Sequence, residues 1–264
     1  MDARAKTAAD FEAAWQWWQE ARWRLVAGPH GIAALADTVW LSGEERSVEG
    51  VAGRWRADGD AVVGAGLAGS GYERTDGAPV ADAVTLRAGE TLRAGDGLVR
   101  AFVREGVPAL RRIDPRAERR VRLQSIAAWR PDPEWVVEAH WMPRDEPIEV
   151  EQVDGHRTTQ GGAGTLDFTL LGERRSLTAT RGDGELAIVF RDATGDDTGD
   201  DGAYPFRFLR PPLPDDAGRT TLDFNRSFLP PCAFSDHYVC PMPPPGNRLD
   251  LAVTAGERRP VLRD

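Results

Sequence analysis

The sequence predicts a mainly β protein, with sandwich or barrel-like antiparallel sheets and an N-terminal α-helix. Short apolar segments recur along most of the chain, with Gly, Pro and Asp between them, as in all-β sandwiches and barrels. Strands do not alternate with helices, which argues against a parallel doubly wound fold and a Rossmann nucleotide site. Hydrophobic residues make up 41% of the 264 residues, so we expect a buried core.

The first element is a helix predicted over residues 8–26, within a Trp-rich N-terminal region covering residues 1–29. Phe11, Trp15, Trp18 and Leu25 recur at helical spacing, and the segment AGPHG ends the helix. The tryptophans are open to interpretation as a ligand platform. Packing of a wide aromatic face against a sheet is the favoured interpretation.

Strands are predicted from residue 30 onward. GLVRAFVREG (97–106) and PALRRID (108–114) are predicted to form a hairpin. A boundary near residues 115–120 would separate an N-terminal β lobe (30–115) from a C-terminal β lobe (116–264). We expect the two lobes to form one continuous domain.

The charge and the absence of targeting patterns exclude several functional classes. The net charge of −9 argues against binding to nucleic acid, which needs a basic face, and against docking on anionic lipid. No apolar run is long enough to span a membrane, and charges interrupt the N-terminal segment where a signal peptide would be apolar. We therefore expect a soluble cytoplasmic protein without nucleic-acid or membrane partners. The cofactor and the oligomeric state stay open.

An acidic loop, RDATGDDTGDDGAY (191–204), carries clustered carboxylates that can bind Ca²⁺ or Mg²⁺ in principle. Its spacing does not match an EF-hand loop, and no Glu closes it. A solvated hairpin tip is the favoured interpretation, and no metal site is predicted. The carboxylates are those of Asp192, Asp196, Asp197, Asp200 and Asp201.

The C-terminal region holds a long proline-rich loop (225–248) between strands predicted at 220–224 and 248–257. Its prolines lack N–H donors and fix φ, so neither a ladder nor a helix can continue through it. Long irregular loops in compact domains are often functional. Cys232, His237 and Cys240 leave three interpretations open: two buried thiols, a disulfide between the cysteines, or part of a zinc site.

Polar side chains frame this loop, and two roles are open for them. They can satisfy backbone groups that the prolines leave without partners. They can also line a pocket for a polar or anionic ligand, with Arg holding a carboxylate or phosphate. Of these side chains, Asn225, Arg226 and Asn247 are predicted ligand-binding residues, and the candidate catalytic residues are Arg226, Cys232 and Glu257.

The segment LDFNRSFLPPCAFSDHYVCPMPPPGNRLDLAVTAGE resembles the C-terminal signature of a family called domain of unknown function 1684. Upstream, VFRDATG and AYPFRFL are also similar to segments of that family, and the resemblance covers most of the chain. Leu229 and Val239 depart from the pattern, which has Asn and Thr there, and His237 is not part of it. The resemblance also implies that Tyr204 and Arg207 are motif residues, and on that ground they join the predicted ligand-binding residues. It implies a fold and a focal loop, and it implies no activity.

These observations lead to two hypotheses about function. In the first, the protein binds a small polar or anionic molecule in a pocket beside the 225–248 loop and is hydrolase-like, with Cys232 near the pocket. In the second, it is a non-catalytic binding or interaction module in which the Pro/Cys loop is structural. The two hypotheses differ in whether the polar side chains point into a cavity or are used by internal hydrogen bonds.

Overall fold

The computed structural model describes residues 3–182, 184–196, 199 and 202–263, with side chains from residue 9 onward. The described chain is mainly β, with antiparallel sheets and an N-terminal helix, which confirms the predicted fold class. Asp197, Asp200 and Asp201 of the acidic loop lie outside the described residues. No helix among the described residues combines the length and apolar character needed to cross a membrane.

The chain divides into two compact units. The two-sheet unit comprises Trp23–Leu123, Phe234–Tyr238 and Leu262–Asp264. The six-strand unit comprises Met1–Arg22, Gln124–Ala233 and Val239–Val261. The boundary predicted near residues 115–120, and the expectation of one continuous domain, stay predictions.

Helix α1 covers Ala3–Ala27, longer at its start than predicted. Its most protected residues recur at helical spacing, with Arg22 and Val26 buried and Phe11, Trp15 and Trp18 half-buried. The prediction that Leu25 belongs to the packing face was wrong, because Leu25 is 56% exposed. The buried stripe of the helix also includes Arg22, which pairs with the buried Glu257.

The two-sheet unit contains a five-stranded and a four-stranded antiparallel sheet. The predicted hairpin over residues 97–114 is confirmed, because its two strands pair from Leu98 with Ile113 to Arg104 with Val107. The sheet orders are β1-β9-β8-β7-β5 and β2-β3-β4-β6. The elements are β1 (Leu35–Trp40), β2 (Arg46–Val48), β3 (Val51–Asp58), β4 (Ala61–Ala65), β5 (Tyr72–Arg74), β6 (Ala83–Leu86), β7 (Thr91–Ala94), β8 (Gly97–Arg104), β9 (Val107–Ile113) and helix α2 (Glu118–Arg122).

The six-strand unit contains a sheet in the order β17-β16-β15-β14-β11-β18, with two smaller pairs, β12-β13 and β10-β19. Alternation is clear in β14, where Leu166, Phe168 and Leu170 are buried and the residues between them face outward. The strands are β10 (Leu123–Ala128), β11 (Val136–Pro143), β12 (Ile148–Glu151), β13 (Arg157–Gln160), β14 (Ala163–Leu170), β15 (Glu173–Gly182), β16 (Glu185–Phe190), β17 (Arg207–Leu209), β18 (Arg219–Asp223) and β19 (Glu257–Leu262).

The segment after the proline-rich loop differs from the prediction. The strand predicted over 248–257 is wrong, because the chain forms a strand only from Glu257 onward. The segment instead bonds to other loops: Leu249 N–H donates to the Arg191 carbonyl at 2.9 Å, and Ala193 N–H donates to the Leu251 carbonyl at 3.0 Å. These two backbone groups therefore have partners without a neighbouring strand.

Candidate functional site

A buried ion pair lies at the start of β17. Arg207 is 1% exposed, and its Nη2 donates to Asp192 Oδ2 at 2.6 Å. The same guanidinium donates to the carbonyls of Val253, at 2.9 Å, and Ala255. Burial is the main influence on the pKa of Arg207 and lowers it, whereas the charge of Asp192 acts in the opposite direction. Arg207 thus donates hydrogen bonds to carbonyls within residues 248–257, the segment that was predicted to be a strand.

A second buried ion pair joins helix α1 to the end of the chain. Arg22 Nε and Nη2 donate to Glu257 Oε1 and Oε2 at 2.8 and 3.0 Å, a bidentate geometry. Glu257 Oε2 also accepts from Leu229 N–H at 2.8 Å. Gly256 has φ of +80°, and an added Cβ there would lie 2.5 Å from the Ser227 carbonyl oxygen. The turn before Glu257 therefore requires glycine.

Asn225 and Asn247 are buried, and both use their side-chain amide hydrogens within the protein. Asn225 Nδ2 donates to the Asp132 carbonyl and to Asp223 Oδ1, each at 2.9 Å. Asn247 Nδ2 donates to the carbonyls of Thr178 and Val189, at 2.7 and 2.8 Å. Neither amide has a hydrogen left to donate to a ligand. We call Arg22, Asp192, Arg207, Asn225, Asn247 and Glu257 the polar clasp.

The other predicted residues, Tyr204, Arg226 and Cys232, are not members of the polar clasp. Arg226 has a side chain 48% exposed and contacts Asp223, with Nε 3.2 Å from Oδ2. Cys232 and Cys240 are buried thiols. Tyr204 Oη donates to Cys232 Sγ at 3.6 Å, and Cys232 N–H donates to Cys240 Sγ at 3.3 Å. The structure therefore brings Tyr204, Cys232 and Cys240 together, and gives Arg226 a more exposed position.

A cavity of about 300 Å³ lies beside the proline-rich loop, within the six-strand unit. The loop forms one wall, hairpin β12-β13 another, and strands β15 to β17 the rest. Most of the lining is apolar, and Arg210 is the cationic residue in it. The lining consists of Ile148, Val150, Gln160, Thr178, Thr180, Ala187, Ile188, Val189, Phe208, Leu209, Arg210, Pro241, Met242 and Pro244.

The loop wall is fixed by backbone hydrogen bonds to the hairpin side. Val153 N–H donates to the Cys240 carbonyl at 2.9 Å, and Met242 N–H donates to the Glu151 carbonyl at 2.7 Å. The loop thus pairs with the end of β12 and the residues after it, and this pairing places Pro241 and Met242 beside the cavity. Because proline fixes φ, this wall has little backbone freedom to lose when a ligand binds.

Asn247 connects the polar clasp to the cavity. The register of β15 and β16 extends from Gly182 and Glu185 only to Thr180 and Ala187. Beyond that point, Asn247 lies between the strands: Oδ1 accepts from Thr178 N–H at 2.7 Å, and Nδ2 donates to Thr178 and Val189. Thr178 and Val189 both line the cavity. The Asn247 amide therefore takes the place of ladder hydrogen bonds and holds the two strands apart at the cavity floor.

Arg210 stands at the rim of the cavity and is 60% exposed along its side chain. Its Nη1 lies 3.0 Å from Glu185 Oε2, and Glu185 is equally exposed. Such a surface ion pair is weak and exchanges readily with solvent or another anion. Arg210 also lines a neighbouring cavity of about 460 Å³ that includes Phe11 and Arg226.

The sequence pointed to Arg207, Asn225, Asn247 and Glu257 of the polar clasp, but it did not point to Arg22 or to most of the cavity. Asn225, Asn247 and Glu257 were selected because they frame the proline-rich loop, and Arg207 because it lies in a segment that resembles the family. Most of the cavity residues are ordinary strand residues from distant parts of the chain, so no local pattern marks them. Pro241 and Pro244 were the signal that was available, since both lie in the loop that was singled out.

The described residues contain no group of three His, Cys, Asp or Glu side chains placed to hold a metal ion. His237 belongs to the two-sheet unit, where its Nδ1 lies 3.5 Å from Asp37 Oδ1. In the acidic loop, Asp192 is engaged with Arg207 and Thr194. Asp196 accepts from Arg191 and Arg248, at 2.9 and 2.7 Å.

Comparison with known proteins finds similarity without an assigned activity. The sequence profile of a family described as "Protein of unknown function (DUF1684)" matches residues 122–258, slightly more than half of the chain. An uncharacterised protein of Haloarcula marismortui with a solution NMR structure is 34% identical. That match covers 51% of this chain and 76% of the other, with a TM-score of 0.42. We found no match among curated proteins.

Proposed function

The chain belongs to the DUF1684 family of proteins of unknown function, and we propose that it binds a small, mainly apolar molecule that carries an anionic group. The ligand would occupy the cavity between hairpin β12-β13, strands β15 to β17 and the proline-rich loop. The observation that carries this proposal is the combination of an apolar cavity of about 300 Å³ with a single cationic side chain at its rim. Ligand sites in proteins are typically concave and apolar, with few polar groups that orient the ligand.

The size of the cavity limits the ligand. A volume of about 300 Å³ lies at the lower end of the usual range for small-molecule sites. Phe208 and Met242 offer apolar contact area to the body of the ligand, and Met adapts its shape to different occupants. A short alkyl or single-ring compound matches these dimensions, whereas a nucleotide is too polar for this lining.

Arg210 supplies the preference for an anion. Its guanidinium can hold a carboxylate through two N–H donors, and its present partner Glu185 lines the neighbouring cavity rather than this one. Glu185 is exposed, so exchanging it for a ligand carboxylate costs little desolvation. Gln160, Thr178 and Thr180 add neutral polar groups to the lining.

The proposal includes no hydrolase reaction. Arg207, Asn225, Asn247 and Glu257 are engaged in hydrogen bonds within the protein, which supports a structural role for the Pro/Cys loop. The proposed function therefore keeps the pocket and the anionic ligand of the first hypothesis, and the structural role of the Pro/Cys loop from the second.

Octanoate and octanol are suitable probes because they share an alkyl chain and differ in charge. Isothermal titration calorimetry should show octanoate binding and weaker octanol binding. The change Arg210→Gln should weaken octanoate binding about fivefold, the effect of losing roughly 1 kcal/mol, and leave octanol binding unchanged.

Arg219→Gln is the matched control, since Arg219 is also 60% exposed and also pairs with one surface carboxylate, that of Asp215. The control should bind octanoate like the parent protein. Equal losses in the two variants would indicate a nonspecific charge effect. Absence of heat with both probes would contradict the proposal.

A further inference from the structure

The two cysteines of the chain, Cys232 and Cys240, are both buried and both present as thiols. We propose that they form a site of reversible oxidation, at which a small hydroperoxide converts the thiol pair into a disulfide that closes residues 232–240. This inference rests on the geometry of the two cysteines and does not depend on ligand binding in the cavity.

The first observation is the distance between the two residues. Cys232 N–H donates to Cys240 Sγ with the nitrogen 3.3 Å from the sulfur. Because the N–Cα bond is about 1.46 Å long, the Cα of Cys232 lies within about 4.8 Å of that sulfur. In disulfides the two Cα atoms are themselves about 4.4–6.8 Å apart. A sulfur of one cysteine within about 4.8 Å of the Cα of the other is compatible with that spacing, and we infer that rotation about the Cα–Cβ bonds can join the two side chains.

The second observation is that the backbone on each side is fixed. Cys232 lies in a 3₁₀ turn over Pro231–Ala233, closed by Ala233 N–H donating to the Pro230 carbonyl at 3.0 Å. The Cys240 carbonyl accepts from Val153 N–H at 2.9 Å, and Pro241 follows it. Proline at 231 and 241 restricts φ next to each cysteine. The approach of the two residues is thus a property of the folded loop.

The chemistry balances with a hydroperoxide as oxidant. The sulfur of one cysteine, as thiolate, attacks the peroxide oxygen, so that an S–O bond forms, the O–O bond breaks and water or an alcohol leaves. The second thiolate then attacks the resulting sulfenic sulfur, so that the S–S bond forms and hydroxide leaves and is protonated to water. The two thiols lose two protons and two electrons, and the hydroperoxide is reduced by two electrons.

Burial restricts which oxidants can react. Cys232 is 8% exposed and Cys240 is 4% exposed. Hydrogen peroxide is small enough to reach a sulfur in a side chain that is only a few per cent exposed, whereas glutathione disulfide must place a bulky tripeptide beside that sulfur. We therefore expect reaction with hydrogen peroxide and no mixed disulfide with glutathione in the folded protein.

Mass spectrometry tests this directly, because tryptic cleavage after Arg226 and Arg248 releases both cysteines in one peptide, 227–248. The full-length protein is treated with hydrogen peroxide, quenched, alkylated in denaturant and digested. We expect this peptide about 2 Da lighter and not alkylated, with the change reversed by dithiothreitol. The unfolding midpoint of the oxidised protein should rise by about 5 °C, because a loop is closed in a geometry that the fold already has.

Cys232→Ser and Cys240→Ser serve as controls, because each variant keeps one cysteine. That cysteine can be oxygenated or form a disulfide between two chains, but it cannot form a disulfide within one chain. In each variant, the loss of 2 Da should be absent and the remaining cysteine should gain oxygen. Three results would overturn the proposal: full alkylation of the folded protein after peroxide, separate oxygenation of both cysteines in the parent chain, or a disulfide that lowers the unfolding midpoint.

Discussion

The polar clasp and the cavity lie in the same unit and use their side chains in opposite ways. In the clasp, charged and amide groups are buried and engaged with backbone and with one another, as for Arg207 with Asp192, Val253 and Ala255. In the cavity, apolar strand residues surround open space, and the charge of Arg210 faces solvent. The conspicuous polar residues therefore build the structure, and inconspicuous residues form the candidate site.

This difference predicts separate experimental signatures. Changes in the clasp should alter the free energy of unfolding and, in most cases, leave ligand affinity intact once the protein is folded. Changes in the cavity should alter affinity and leave stability almost intact. Asn247 belongs to both regions, because it holds two cavity-lining residues, and it should affect both quantities.

The largest effect is expected for Asp192→Ala. This change leaves the charge of Arg207 buried without its carboxylate, which typically costs about 3–5 kcal/mol. Urea unfolding followed by tryptophan fluorescence measures the loss. Glu185→Ala, which removes the carboxylate of an exposed pair, is the control and should cost less than about 1 kcal/mol. Equal losses in the two variants would show that burial of the Asp192–Arg207 pair is unimportant.

A somewhat smaller loss is expected for Glu257→Gln. The neutral amide keeps the shape of the side chain but removes the charge that pairs with Arg22, at a cost of about 2–3 kcal/mol. A double-mutant cycle with Arg22→Met isolates the pair. We expect the two changes together to cost clearly less than their sum. Simple additivity would mean that the two side chains contribute independently.

Asn247→Ala and Asn225→Ala form a matched pair that distinguishes an effect on stability alone from an effect on both stability and ligand affinity. Each change removes a buried amide that makes three or more hydrogen bonds, so each should cost about 2 kcal/mol in unfolding free energy. Only Asn247→Ala should also weaken octanoate binding, measured by calorimetry under conditions where both variants are folded. Similar affinities in the two variants would contradict the role assigned to Asn247 at the cavity floor.

The smallest effect on stability is expected for Arg210→Gln. Its ion pair with Glu185 is exposed, so urea unfolding should change by less than about 0.5 kcal/mol even though octanoate affinity falls. A stability loss comparable to that of Asp192→Ala would remove the distinction between the two regions.

The sequence carried enough information for the fold class, helix α1 and the position of the loop, because alternation and proline chemistry act locally. It did not reveal Arg22 as the partner of Glu257, since 235 residues separate them and the helix pattern was interpreted through its aromatic residues. It also misassigned residues 248–257. That segment alternates like a strand, but its carbonyls at Val253 and Ala255 accept hydrogen bonds from Arg207. Such a tertiary interaction overrides a local pattern.

The cavity could not be predicted from the sequence for a different reason. Its lining combines residues from 148 to 244, each of which is unremarkable in its own strand or loop. A cavity is a space left between elements, and its volume depends on how the sheet curves and where Asn247 separates two strands. Neither property is encoded in a short segment of sequence.

The central claim is tested most directly by NMR of the protein labelled with ¹³C at the methionine methyl groups. The chain has three methionines; Met242 lines the cavity, and Met142 lies 51% exposed on a separate groove of the sheet. Met242→Leu and Met142→Leu assign the two signals. On titration with octanoate, we predict a saturable shift of the Met242 methyl signal and no shift of the Met142 methyl signal. A shift confined to Met142, or no shift at saturating octanoate, would contradict binding in the cavity.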